Sequence, residues 1–127
     1  MTTLQISQTY ETEDGDTVET TVPDVAVLHS VGLPERTAIL DRYIRGELGR
    51  VLGIHPRHVD TTGRPMSCLG VGSISGMELQ YRMEGALGVE LNLQRLLLAN
   101  SAQELIDCLA WQFGPEGVAK YGTPVLT

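Results

Sequence analysis

Residues 64–79 read Arg64-Pro65-Met66-Ser67-Cys68-Leu69-Gly70-Val71-Gly72-Ser73-Ile74-Ser75-Gly76-Met77-Glu78-Leu79, and this stretch decides the fold. Pro65, Gly70 and Gly72 punctuate its first half as a loop does. From Ser73 the pattern becomes helical, with Ile74, Met77, Tyr81 and Leu87 among its apolar positions and Gly88 as its stop. A glycine-rich turn thus delivers a serine to the start of a helix. Unpaired amides and the positive end of the helix dipole meet there.

Upstream, Pro34 and Glu35 suit a first helical turn, and Leu40, Ile44, Leu48, Val51 and Leu52 form one apolar stripe that ends at Gly53. Gly46 and Gly49 each disfavour a helix interior by about 1 kcal/mol relative to Ala, so packing must hold that helix together. Residues 54–72 form a long connection, for which Val59, Met66, Cys68 and Leu69 are the candidate packing groups. Downstream, Leu91, Leu93 and Leu96-Leu97-Leu98 supply a short helix. Ser101 and Glu104 have capping-box spacing, and Leu105, Ile106, Leu109, Ala110 and Phe113 stripe a last helix that Gly114-Pro115 breaks. The expected fold is all-α: a small bundle of three main helices plus one short helix, with flexible N- and C-terminal segments.

The chain of 127 residues has room for one ordinary domain. Its 42% hydrophobic and 5% aromatic content gives a core of Leu, Val, Ile and Met. A net charge of −7 argues against nucleic acid and anionic membranes as partners. With no spanning run and no signal-peptide layout, a cytoplasmic protein is the default. The charge is uneven. Residues 1–33 hold Glu11, Glu13, Asp14, Asp16, Glu19 and Asp24 without any Lys or Arg, whereas residues 34–113 are almost balanced. The expected division is an acidic leader over 1–33, a folded domain over 34–113 and a tail over 114–127. A solvated leader is favoured over its rival, a β-hairpin turning at Glu13-Asp14-Gly15-Asp16, because an isolated hairpin is marginal in water.

On local physics Ser73 is first a helix cap, with Ser75 competing through its spacing to Glu78. The second reading is a modification site, because a phosphate ester is stabilised at a helix N-terminus. The wider pattern favours the second. Arg64-Pro65, Leu69-Gly70, Ser73-Ile74, Met77-Glu78-Leu79, Arg82-Met83-Glu84 and Gly88-Val89 resemble, in residues and spacing, acyl carrier domains of the polyketide synthase type, and the likeness runs over about residues 35–113. The resemblance implies a 4′-phosphopantetheine on Ser73, installed from coenzyme A by a phosphopantetheinyl transferase using a divalent metal. It also implies acyl thioesters presented to a ketosynthase, an acyltransferase and other synthase domains by a monomeric, non-catalytic carrier.

The family usually has Asp where this chain has Gly72, so recognition is expected to rest on apolar contacts. Val71, Gly72, Ile74, Met77 and Glu78 are the expected partner-recognition residues. The alternatives are a peptidyl carrier of a peptide synthetase, a carrier fold that is never modified, and, for residues 1–33, a docking element.

Other chemistry is weaker. Cys68 and Cys108 are expected as free buried thiols rather than a disulfide or zinc ligands. His55 and His58 are expected as surface groups, Arg42, Arg45 and Arg50 as a solvated helix face, and Trp111 as a core-edge aromatic.

Overall fold

The computed structural model describes residues 7–113 and 125–126. In chain order it contains strands β1 (Ser7–Glu11) and β2 (Thr17–Thr21), then helices α1 (Val25–Ser30) and α2 (Leu33–Leu52). Next come two short 3-10 turns, Pro56–His58 and Met66–Cys68, and helix α3 (Ser73–Leu87). Strand β3 (Glu90–Leu91), helices α4 (Leu93–Leu98) and α5 (Ala102–Gln112), and strand β4 (Val125–Leu126) complete it. The three main helices are α2, α3 and α5, and α4 is the short helix expected after residue 91. Among the described residues no helix is long and apolar enough to cross a membrane.

Helix ends fall where local chemistry puts them. Gly53 and Gly88 stop α2 and α3 in the left-handed region, at φ 73° and 68°. Ser101 Oγ accepts the Glu104 amide at 3.1 Å. Glu104 returns its carboxylate to the Asn100 amide at 3.2 Å, one residue before the partner an ideal capping box would use. The core joins Leu40, Ile44 and Leu48 of α2, Leu79, Met83 and Leu87 of α3, Leu96 of α4 and Ile106, Leu109 and Phe113 of the last helix and its cap.

The leader expected over residues 1–33 is, from Ser7 onward, ordered structure, and the hairpin set aside as its rival forms. Strands β1 and β2 pair antiparallel with Tyr10 opposite Val18, around a turn in which Gly15 has φ 90°. The hairpin does not stand alone, which removes the objection to it. Val18 is buried, Tyr10 donates its hydroxyl to the Ile54 carbonyl at 2.8 Å, and the Glu13 amide bonds the Gly53 carbonyl at 2.8 Å. Helix α1 adds Leu28, fully buried, to the core. The core therefore draws on residues ahead of the expected boundary at 34. Leu4 and Ile6, part of the hairpin's alternation, lie outside the described residues. So does the tail expected over 114–127, save for Val125 and Leu126, which pair in parallel with Glu90 and Leu91.

The two helix glycines now have a reason. A Cβ on Gly46 would sit 2.8 Å from Thr20 Cγ2, and one on Gly49 would sit 2.7 Å from the Ile54 carbonyl oxygen, beside the Tyr10 hydroxyl. The hairpin lies against α2 because both positions lack a side chain. Gly49→Ala is expected to destabilise by about 1–2 kcal/mol, overpacking against backbone outweighing the gain in helix propensity. Urea unfolding checks this, and hydrogen exchange should loosen first at the β1–β2 amides.

The arginines of α2 are not simply a solvated face. Arg45 pairs with Asp41 at 3.0 Å and donates to the Val59 carbonyl and the Thr61 hydroxyl, and Arg50 pairs with Glu78 at 2.8 Å; Arg42 alone is exposed. Arg45 thereby pins the long loop. Buried Val59 and Met66 anchor it from within, Leu69 is half-buried against the core, and Met66 N bonds Ala99 O at 3.1 Å. Cys68 is exposed, contrary to its expected burial, because the side chains of Met66 and Leu69 take the inward positions of that turn. Both cysteines are free; burial raises the pKa of the Cys108 thiol, partly offset by its contact with Gln112. His55 caps the first 3-10 turn through the Arg57 amide, His58 is exposed, and Trp111 is 39% exposed at the core edge.

Candidate functional site

The pinned loop ends at Gly70, whose φ of 102° excludes a side chain without strain. Gly72 has no such need. Its φ of −87° and ψ of −173° are extended backbone, and a Cβ there would meet nothing within 4 Å. Val71 between them turns inward and is 3% exposed. It is a core residue that anchors the loop, not the recognition contact expected of it, because the chain alternates inward and outward as it enters the helix.

Ser73 follows as the first residue of α3 and is exposed. Neither capping reading holds. The N-cap is Gly72, and no side chain bonds the first amides of the helix. The Ser73 and Ser75 hydroxyls make no hydrogen bond among the described residues. The site is thus a free primary hydroxyl beside the uncapped, positive end of a 15-residue helix, with open space before it. These features fit a phosphodiester. The oxygen is unencumbered, and the first-turn amides offset the negative charge of a phosphate placed there.

Gly72→Asp follows as a test of the open N-cap. An aspartate fits without clash and caps the helix, so Tm is expected to rise by the equivalent of about 0.5–1 kcal/mol. A fall would show that the backbone at residue 72 is not free to carry a side chain.

Beyond Ser73, Ile74 is 86% exposed, Met77 54% and Tyr81 82%. They share one face of α3 at three- and four-residue spacing. Of the four apolar positions expected of this helix, Ile74, Met77 and Tyr81 face outward and only Leu87 is buried. The buried stripe of α3 is Gly76, Leu79, Met83 and Leu87. Gly76 sets the choice, since a Cβ there would press on Leu97 and Leu93 of α4 at 2.8 and 3.1 Å. Tyr81 is the exposed residue that sequence reasoning missed. The signal was present, because 76, 79, 83 and 87 keep helical spacing to the end of the helix, whereas 74, 77 and 81 do not reach Leu87.

Charge on α3 is largely spoken for. Glu78 is paired with Arg50, Glu84 accepts the Leu91 amide at 2.7 Å, and Arg82 holds Glu47 through Nε and Nη2 at 2.6 and 3.0 Å. What remains beside Ser73 is an apolar face.

Comparison with curated proteins and with solved structures finds no match. A family model described as a phosphopantetheine attachment site matches residues 42–109, more than half of the chain and all of α3. With a free serine hydroxyl at the start of that helix and room around it for the group, the chain belongs to the phosphopantetheine-attachment family, the carrier domains that hold 4′-phosphopantetheine covalently.

Proposed function

We propose that Ser73 is the attachment residue and that the chain serves a polyketide synthase, tethering acyl groups as thioesters and presenting them to a ketosynthase, an acyltransferase and related domains. The observation that carries the assignment is the Ser73 hydroxyl, exposed, without a hydrogen-bond partner, and set at an uncapped helix start inside the matched region. Carrier domains of this family are modified by a phosphopantetheinyl transferase, work with synthase enzymes and are, as a rule, not catalysts. The chain's own residues supply attachment, orientation and recognition. The thiol of the bound group supplies the thioester.

Ile74, Met77 and Tyr81 form the surface offered to partners, with Gly72 leaving the approach uncharged and Glu78 at its edge. The peptidyl-carrier alternative shares the attachment chemistry. Arg64-Pro65 and Met77-Glu78-Leu79 favour the acyl class. The test is intact mass after incubation with coenzyme A, a divalent cation and a broad-specificity transferase. One phosphopantetheinyl mass is expected, and no gain under conditions that load a control carrier sinks the reading. Acyl rather than aminoacyl groups on the protein isolated from its producing cells would separate the two classes.

A further inference from the structure

The last stretch before Ser73 is the least tied part of the long loop. The middle of the loop is bonded from three sides. Arg45 holds Val59 and Thr61, the Gln103 amide bonds the Thr61 carbonyl at 2.8 Å, and the Met66 amide bonds Ala99. Residues 67–72, by contrast, make no hydrogen bond to any described element beyond their own turn and α3.

Packing places them instead. Val71 is buried, and Gly70 lies over the foot of α2. A Cβ on Gly70 would sit 3.2 Å from Leu52 Cδ2, so Leu52 is the group on which this turn rests. The packing is not tight. Leu52, Ile54, Val59 and Leu69 border a cleft of about 310 Å³, which leaves the end of the loop room to shift unless residues 52–54 are themselves held.

They are held from the hairpin. Tyr10 donates its hydroxyl to the Ile54 carbonyl at 2.8 Å, and the Glu13 amide bonds the Gly53 carbonyl at 2.8 Å. Both acceptors come just past the last turn of α2, where no further helical amide follows to bond them. The Ile54 amide turns back to the Gly49 carbonyl at 2.9 Å, and the bare Gly49 is what admits the Tyr10 hydroxyl beside it. Burial raises the pKa of that hydroxyl, partly offset by Arg50, so it stays a donor. Tyr10 and Glu13 thus tie the hairpin to the residues that support Gly70, three positions before Ser73. Both lie ahead of residue 42, where the match to the family begins.

We propose that the hairpin is a strap on the foot of α2 and that Tyr10 is a positioning residue for modification: by holding Ile54 it fixes the loop end that presents Ser73 to the transferase. The inference rests on Ser73 as the attachment residue. Tyr10 makes and breaks no bond in the reaction. It sets the fraction of molecules whose loop stands in the conformation that the transferase binds. A lower fraction weakens apparent binding in proportion and leaves the rate of the bound complex unchanged.

The test measures loading of the full chain from coenzyme A by the broad-specificity transferase, with the carrier concentration varied. Wild type, Tyr10→Phe and Ile106→Val are compared, together with amide hydrogen exchange of each. Tyr10→Phe keeps the ring and removes the hydroxyl. Ile106→Val shortens a buried side chain of α5 and serves as the control for a general loss of stability. In Tyr10→Phe the KM for the carrier is expected to rise by about two- to tenfold, the loss of one neutral hydrogen bond, with kcat unchanged. Exchange at the Leu69 amide should speed up by a similar factor, while that of Met66, bonded to Ala99, stays as in the wild type. Ile106→Val should lower Tm and leave KM unmoved. A wild-type KM in Tyr10→Phe, a fall in kcat alone, or an equal rise of KM in Ile106→Val overturns the strap and leaves the attachment reading standing. Failure of the wild type to load overturns both.

Discussion

Arg36→Ala is expected to lower stability by about 3–5 kcal/mol and to release α1 from the bundle. The side chain is 3% exposed and donates to three backbone carbonyls from two helix ends. Nε bonds Leu28 O at 2.7 Å, Nη2 bonds Val31 O at 2.7 Å, and Nη1 bonds Ala110 O at 3.0 Å. These are the orphan acceptors that every helix C-terminus carries, and a cation there also meets the negative end of each dipole. Alanine strands all three carbonyls in the core and leaves a cavity beside Leu28. Each hydrogen bond to a charged group contributes about 1.5–3 kcal/mol, and the contributions are not fully additive. Urea unfolding checks the size. An Arg36→Lys variant, able to satisfy fewer of the carbonyls, should fall between. A loss below about 1 kcal/mol for Arg36→Ala would mean that α1 contributes little to the core.

Glu47→Ala is the second large effect, expected at about 2–3 kcal/mol. Glu47 is 3% exposed, holds Arg82 through two hydrogen bonds, and lies 3.8 Å from Arg50. Two nitrogens of Arg50, Nε and Nη2, are buried with no hydrogen bond among the described residues, so the Glu47 charge is what offsets them. Removing it leaves Arg82 without its carboxylate partner and Arg50 with Glu78 alone, at the junction of α2, α3 and the hairpin. Both are about a quarter exposed and retain some water, which keeps the effect below that of a fully buried broken pair. Arg82 would also lose the geometry in which it holds Gln8. Faster hydrogen exchange in β1 and β2 should therefore accompany the stability loss. A stability loss with unchanged exchange in the hairpin would separate the network from the hairpin's attachment.

The sequence made the three main helices, the short fourth and the long loop legible because their signals are local. Gly53, Gly88 and the pair Ser101–Glu104 mark ends through chemistry within one turn. The loop's anchors, Val59 and Met66, were legible as apolar residues in a polar stretch. Two features were not local. The hairpin looked too poor in apolar groups to hold, since its attachment is distributed over a tyrosine hydroxyl, one buried valine and two glycines far along the chain, Gly46 against Thr20 and Gly49 against Tyr10. Those glycines stood out as a puzzle within α2, and their answer lay in another element. Helical spacing alone offers two stripes on α3, since Ile74, Met77 and Tyr81 keep it as do Gly76, Leu79, Met83 and Leu87. The close approach of Leu93 and Leu97 to Gly76 shows which of the two faces inward. Ser73 was legible from the pattern around it, whereas its lack of any capping partner needed the structure.

The same geometry gives a compact view of how the site is held. Arg45, Val59 and Met66 fix the loop, Gly70 and Val71 set its last turn, and α3 begins where the loop can go no further inward. Ser73 is left outside by construction of the elements around it, not by chance exposure of a surface loop.

The most direct test of the account is to locate the phosphopantetheinyl group by fragmenting peptides of the enzymatically loaded protein. The account predicts one group, on Ser73, and none on a Ser73→Ala variant that keeps the circular dichroism of the wild type. Loading that persists in Ser73→Ala, or that maps to Ser67 or Ser75, would contradict it.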